Sequence, residues 1–165
     1  PLPAPGNAMI HADVFGQGGA HLRFHPWFNL TGGEGQTYWE EAKAAGYPIT
    51  WVPRAIIRED RGEERARLGH ILYRVMSRQV SVCRRRRIFM AGGAAAFVDL
   101  QRFFYHLIRG TLYLLAVVPM MVTDRSAARH RIGRGALDFA RVGGIILYAL
   151  GGNPRYYRTI GNLQL

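Results

Sequence analysis

The sequence predicts an α/β unit followed by apolar, membrane-associated helices, and three observations carry that reading. A Gly32-Gly33-Glu34 loop opens a helix expected over residues 36–45. That helix stops at Gly46 and runs into Tyr47-Pro48-Ile49-Thr50-Trp51-Val52-Pro53, whose β-branched and aromatic residues read as a short strand. From Glu63 to about Arg87 apolar residues recur at helical spacing, and two uncharged runs, residues 88–98 and 111–122, follow.

In chain order, Asn7-Ala8-Met9-Ile10 reads as a strand or its end, and residues 11–15 as a turn or one helical turn closed by Gly16, Gly18 and Gly19. Residues 22–28 are aromatic-rich and contain Pro26, which makes them extended or irregular. Ile56-Ile57 ends a second extended piece near Arg58. In the helix expected over 63–87, Leu68, Ile71, Leu72, Val75, Met76 and Val80 form the apolar face. Arg67, Arg74, Arg78 and Arg85 fall opposite, in the pattern of a basic helix that lies on membranes. Glu63 and Glu64 in its first turn and Arg84 to Arg87 in its last suit the helix dipole.

The apolar run from Ile88 is stopped by Asp99, and each run is shorter than the roughly 20 residues of a clean membrane span. The second reaches that length if it extends back to Phe103, with Arg109 snorkelling or facing another helix. A third, shorter segment covers 142–150. Arginines bracket these runs, which fits a shallow helical hairpin entering and leaving on the cytoplasmic face. The competing reading is a set of buried helices in a soluble helical domain.

Charge is distributed unevenly. Residues 1–53 hold two basic against four acidic residues, 54–87 eleven arginines against four acids, and 88–165 nine arginines against three. Such an asymmetry asks for a polyanionic partner. Base stacking needs aromatics among the basic residues, and between Arg54 and Arg87 only Tyr73 is aromatic. A membrane surface is therefore expected, and no nucleic acid. The chain opens on Pro-Leu-Pro-Ala-Pro with no signal-peptide pattern, and its single Cys83 excludes an intrachain disulfide framework and an all-cysteine zinc site.

Several segments, in order, resemble the C-terminal half of bacterial membrane-associated family 2 glycosyltransferases. They are Gly6-Asn7-Ala8-Met9-Ile10, the segment from Phe24 to Gly33-Glu34, Ala45-Gly46 with the following 47–53, Glu59 with Glu64-Arg65, and Tyr148-Ala149-Leu150-Gly151-Gly152 with Tyr156-Tyr157-Arg158. The resemblance implies the C-terminal half of a glycosyltransferase A-type (nucleotide-diphospho-sugar transferase) fold over residues 1–60. It further implies a basic amphipathic helix over 61–87 and a membrane-associated region over 88–165. The implied activity is transfer of a sugar from a nucleotide-sugar to a glycan or lipid-linked acceptor at the cytoplasmic face of the inner membrane.

The family's Gly-Gly-Glu-Asp motif stands here as Gly-Gly-Glu-Gly, so the residue taken to be the family's base is Gly35. Glu34 is the acid left in the loop to take a proton from an acceptor hydroxyl. Gly32 and Gly33 would shape the loop, and Trp27 or Trp39 could stack on a sugar, with a core role as the alternative for either. A capped helix with a solvated Glu34 is the alternative for the loop itself. His25 reads as a surface or capping residue, and His106 and His130 as isolated residues carrying no site. A divalent metal (Mg or Mn) is implied, but its Asp-x-Asp ligands are not in this chain, which is read as a fragment without the donor-binding half. A non-catalytic membrane-docking protein derived from the same fold is the alternative function.

Overall fold

The structure is a computed structural model that describes residues 8–16, 18–28, 32–58 and 62–154, without the side chain of Glu64. Expectations placed on Gly6-Asn7, Glu59 and Tyr156-Tyr157-Arg158 lie outside those residues. Among the described residues six α-helices follow in order: α1 (Ala12–Phe15), α2 (Glu34–Ala44), α3 (Leu68–Phe89), α4 (Gly92–Leu115), α5 (Val117–Thr123) and α6 (Arg125–Ala149). Short 3-10 turns occupy Pro26–Phe28 and Glu63–Ala66.

The described residues are 71% helical and contain no strand, which overturns the α/β expectation and with it the half glycosyltransferase A-type sheet. Ala8 to Ile10 and residues 47–53 form no ladder. A strand requires a neighbouring backbone, and the backbone bonds at the end of this segment are local: Ala55 N–H donates to Val52 O and Ile56 N–H to Arg54 O. High β-propensity at Trp51, Val52, Ile56 and Ile57 therefore leaves exposed side chains.

Two glycines set the limits of α2. Gly33, at φ 103°, turns the chain into the helix, and Gly46, at φ 87°, turns it out. At the exit, Gly46 N–H donates to Lys43 O and Tyr47 N–H to Ala42 O, the paired bonds of a Schellman ending. The expected stop at Gly46 is thus observed, while the helix begins two residues earlier than the spacing suggested. Val14, Tyr38, Trp39 and Ala42 form a small core between α1 and α2, with Ile10, Leu22 and Tyr47 packed on it.

The larger body is built on α6, which α3 and α4 both pack along. Gly110 of α4 faces Asp138 and Phe139, and Gly135 faces Leu114, so α4 and α6 run antiparallel at close range. Gly144 meets Met76 and Gln79 of α3. Residues of both apolar runs share α4 because Asp99 does not stop it: its carboxylate turns inward and takes a hydrogen bond from Arg86. Near the α4–α5 junction, Pro119 sits in the first turn of α5, where a missing N–H costs little. Asp124 then caps α6, accepting from Ser126 N–H at 2.9 Å and Ala127 N–H at 3.0 Å.

Helix α3 covers most of the span expected for it but is a packed member of this body. Val80 and Cys83 are wholly buried, with Ser77 and Ser81 beside them, while Leu68 and Ile71 of the expected apolar face are exposed.

Candidate functional site

The Gly32-Gly33-Glu34 loop is fastened to α3. Ser81 Oγ donates to Gly32 O, and a Cβ on Gly33 would come within 2.9 Å of Ser81 Cβ, so glycine is required there by space as well as by φ. Phe28, 1% exposed, closes the loop from the other side. Arg84 Nη1 donates to Trp27 O at 2.7 Å, and its Nη2 reaches Asn153 Oδ1 at 3.2 Å. Burial pushes the pKa of Arg84 down from its ordinary value. Arg85 donates to Gln36 Oε1 at 2.8 Å and pairs with Glu40 at 3.4 Å. Consecutive arginines thus clamp the loop, α2 and the segment after α6 to one turn of α3.

Glu34 is the first residue of α2 and half-buried. Its Oε2 is buried and has no hydrogen-bond partner among the described residues. A carboxylate oxygen held in this way at a helix N-terminus can accept a proton or a donor supplied by a ligand. The two tryptophans part company. Trp39 is 5% exposed and belongs to the α1–α2 core, whereas Trp27 is 58% exposed on its 3-10 turn. His25 caps that turn, accepting from Trp27 N–H at 3.2 Å. Tyr38 packs against Phe24 with ring centroids 4.8 Å apart, and burial raises its pKa.

A second cluster escaped the sequence reading. Asp138, wholly buried on α6, accepts from Arg109 Nε at 2.8 Å and Nη2 at 2.6 Å, and from Arg141 Nη1 at 2.8 Å. His106 Nδ1 lies 2.9 Å from the same carboxylate. Arg109 also donates to Tyr105 Oη at 2.7 Å and lies over its ring at 4.8 Å. Two signals could have exposed it: Asp138 is the sole acid in the C-terminal forty residues, and His106 and Arg109 sit one turn apart in a largely apolar helix. His130, read as isolated, accepts from Arg134 Nε at 2.8 Å.

The implied divalent metal does not fit these residues. No group of three potential ligands converges among the described residues. Asp13 lies 3.3 Å from His11, Glu40 pairs with Arg85, and Asp99 and Asp138 are taken by arginines.

Cys83 is no nucleophile. Burial, then the neighbouring charge of Asp99, push its thiol up to about 12, so the thiolate is scarce at neutral pH. Alkylation by a maleimide at pH 8 is expected only after unfolding, and mass spectrometry of the native and urea-treated protein checks it. Prompt labelling of the native chain would contradict the burial described.

Compared with protein-family models, curated proteins and solved structures, the chain finds no match.

Proposed function

We propose that this chain is the acceptor-side, membrane-docked part of a glycosyltransferase. In this reading it works at the cytoplasmic face of the inner membrane on a nucleotide-sugar and a glycan or lipid-linked acceptor. The observation that carries the reading is the buried, unpartnered Glu34 Oε2, in a Gly-Gly-Glu loop tied through Ser81 and Arg84 to a helix that leads directly into the apolar α4. The resemblance of the segment from Phe24 to Gly33-Glu34 to the family adds to it.

A hydroxyl is a poor nucleophile until it loses its proton. Glu34 would take that proton as the acceptor oxygen bonds to the anomeric carbon, and the sugar–oxygen bond to the diphosphate breaks with its electron pair leaving on the nucleotide. Exposed Trp27 offers a ring face for the acceptor, while Trp39 serves the core. A divalent metal that neutralises the departing diphosphate would be held by residues other than those described.

Glu34→Gln preserves shape and removes the base. In membranes from cells making the protein, assayed with labelled nucleotide-sugars, it is expected to lower transfer by about 10²–10⁴-fold. Unchanged transfer with Glu34→Gln would end the assignment. A second reading, non-catalytic membrane docking, draws on Gly35, which is buried in the first turn of α2 where the family carries its acid. Gly35→Asp separates the two: a gain in transfer favours a weakened enzyme, and an inactive wild type that stays inactive with Gly35→Asp favours docking alone.

A further inference from the structure

Helix α4 has an outer face that nothing in the fold covers. Phe97, Leu100, Phe104, Ile108, Leu112 and Leu115 recur every three or four residues along it, each more than half exposed. The stripe continues onto α5 at Val118 and Val122. The opposite face, Ala95, Asp99, His106 and Gly110, is buried. Residues 92–123 are long and apolar enough to cross a bilayer, yet only 17% of their most apolar window is buried.

The charge around the stripe has one sign. All three acids between residues 88 and 154 are occupied internally: Asp99 by Arg86, Asp124 as the cap of α6, and Asp138 by Arg109 and Arg141. What faces outward near the ends of the apolar stripe is cationic: Arg87 near one end and Arg125, Arg129 and Arg134 near the other. An apolar ridge rimmed by cations complements an anionic lipid leaflet.

Crossing conflicts with the packing. A crossing piece from Phe103 to Val122 would leave exposed Arg102 at its edge, so the conflict lies with the helix packed against it. Through Asp138 and the Gly110–Gly135 approach, α4 is also bound to α6. Helix α6 carries Arg125, Arg129, Arg131, Arg134 and Arg141, all of which would have to enter the membrane with it.

We infer that α4 and α5 form a monotopic anchor: the ridge from Phe97 to Val122 sinks into one anionic leaflet, and both ends of α4 stay at the same headgroup plane. The inference rests on the membrane part of the function proposed above and specifies how the contact is made. In this arrangement the arginines of early α6 meet lipid phosphates, while the buried ion cluster lies on the protein side of the ridge.

Sealed inside-out membrane vesicles from cells making Gly93→Cys or Ser126→Cys test it, with a membrane-impermeant maleimide added outside and buried Cys83 as a silent background. Equal labelling of both sites before lysis is expected. Labelling of one site only after the vesicles are opened would mean that α4 crosses, and would overturn the monotopic anchor while leaving the proposed enzyme standing. Ile108→Glu combined with Leu112→Glu on the exposed stripe is expected to abolish pelleting with phosphatidylglycerol vesicles, its helix content unchanged by circular dichroism. Retained pelleting would remove the ridge as the contact. Wild-type protein that stays in the supernatant without detergent would overturn both this inference and the membrane part of the function.

Discussion

Asp138→Leu is expected to destabilise the helical body by about 3 kcal/mol. The carboxylate is wholly buried and faces two guanidinium groups and an imidazole. Removing it leaves His106 without its partner and two arginines facing each other across α4 and α6. Breaking a buried ion pair from one side costs about 3–5 kcal/mol. The lower end applies because Arg109 and Arg141 keep about a third of their side chains exposed and water can resolvate them. Asp138→Asn keeps the shape and should lose less. Adding Arg109→Met to Asp138→Leu should recover part of the loss, because an uncompensated charge is then removed as well. Denaturant titration in a mild detergent, followed by circular dichroism, reads all of these. A double variant no more stable than Asp138→Leu alone would mean that the cluster is not held by charge.

Gly144→Val is expected to cost about 1–3 kcal/mol or more by forcing α3 away from α6. A Cβ at Gly144 would fall 2.6 Å from the Met76 carbonyl oxygen and 2.6 Å from Gln79 Cβ. The first is main chain and cannot swing aside without moving the helix. Even Gly144→Ala should destabilise, against the roughly 1 kcal/mol that alanine normally gains over glycine inside a helix. Gly133 lies on the same helix beside open space, with nothing within 4 Å of where a Cβ would stand. Gly133→Ala should therefore stabilise by about 0.5–1 kcal/mol. Opposite signs in paired thermal melts are the expected outcome; two stabilising substitutions would show that α3 and α6 do not approach so closely at Gly144.

Helices α2 and α3 were legible in the sequence, most of α6 was not, and the strands expected from propensity are absent among the described residues. Helical bonds lie within the segment, so periodicity from Leu68 to Phe89 and the stop at Gly46 suffice to place them. A strand is completed by a partner, and Ile49, Trp51 and Val52 have the propensity without a neighbouring strand among the described residues. Asp99 shows a related limit. A charge in an apolar run reads as a stop until Arg86, thirteen residues earlier in sequence, is seen to meet it. The Asp138 cluster joins residues 29 and 32 positions apart, a separation no local pattern reports. At the candidate site, the loop and its acid could be read from Gly32-Gly33-Glu34, but the fastening by Ser81 and Arg84 could not, since those side chains arrive from a different helix.

The arginine run from Arg84 to Arg86 has a consequence for handling and engineering the protein. The formal charge of +11 is not spread evenly over the surface, because these three side chains are engaged with Trp27, Gln36, Glu40 and Asp99. Exposed Arg74, Arg78 and Arg87 set the apparent charge of this helix instead. Solubility can therefore be tuned at Arg74 and Arg78 independently of the fold, whereas Arg→Lys exchange within the inward-facing run would give up forked contacts that a single ammonium cannot replace.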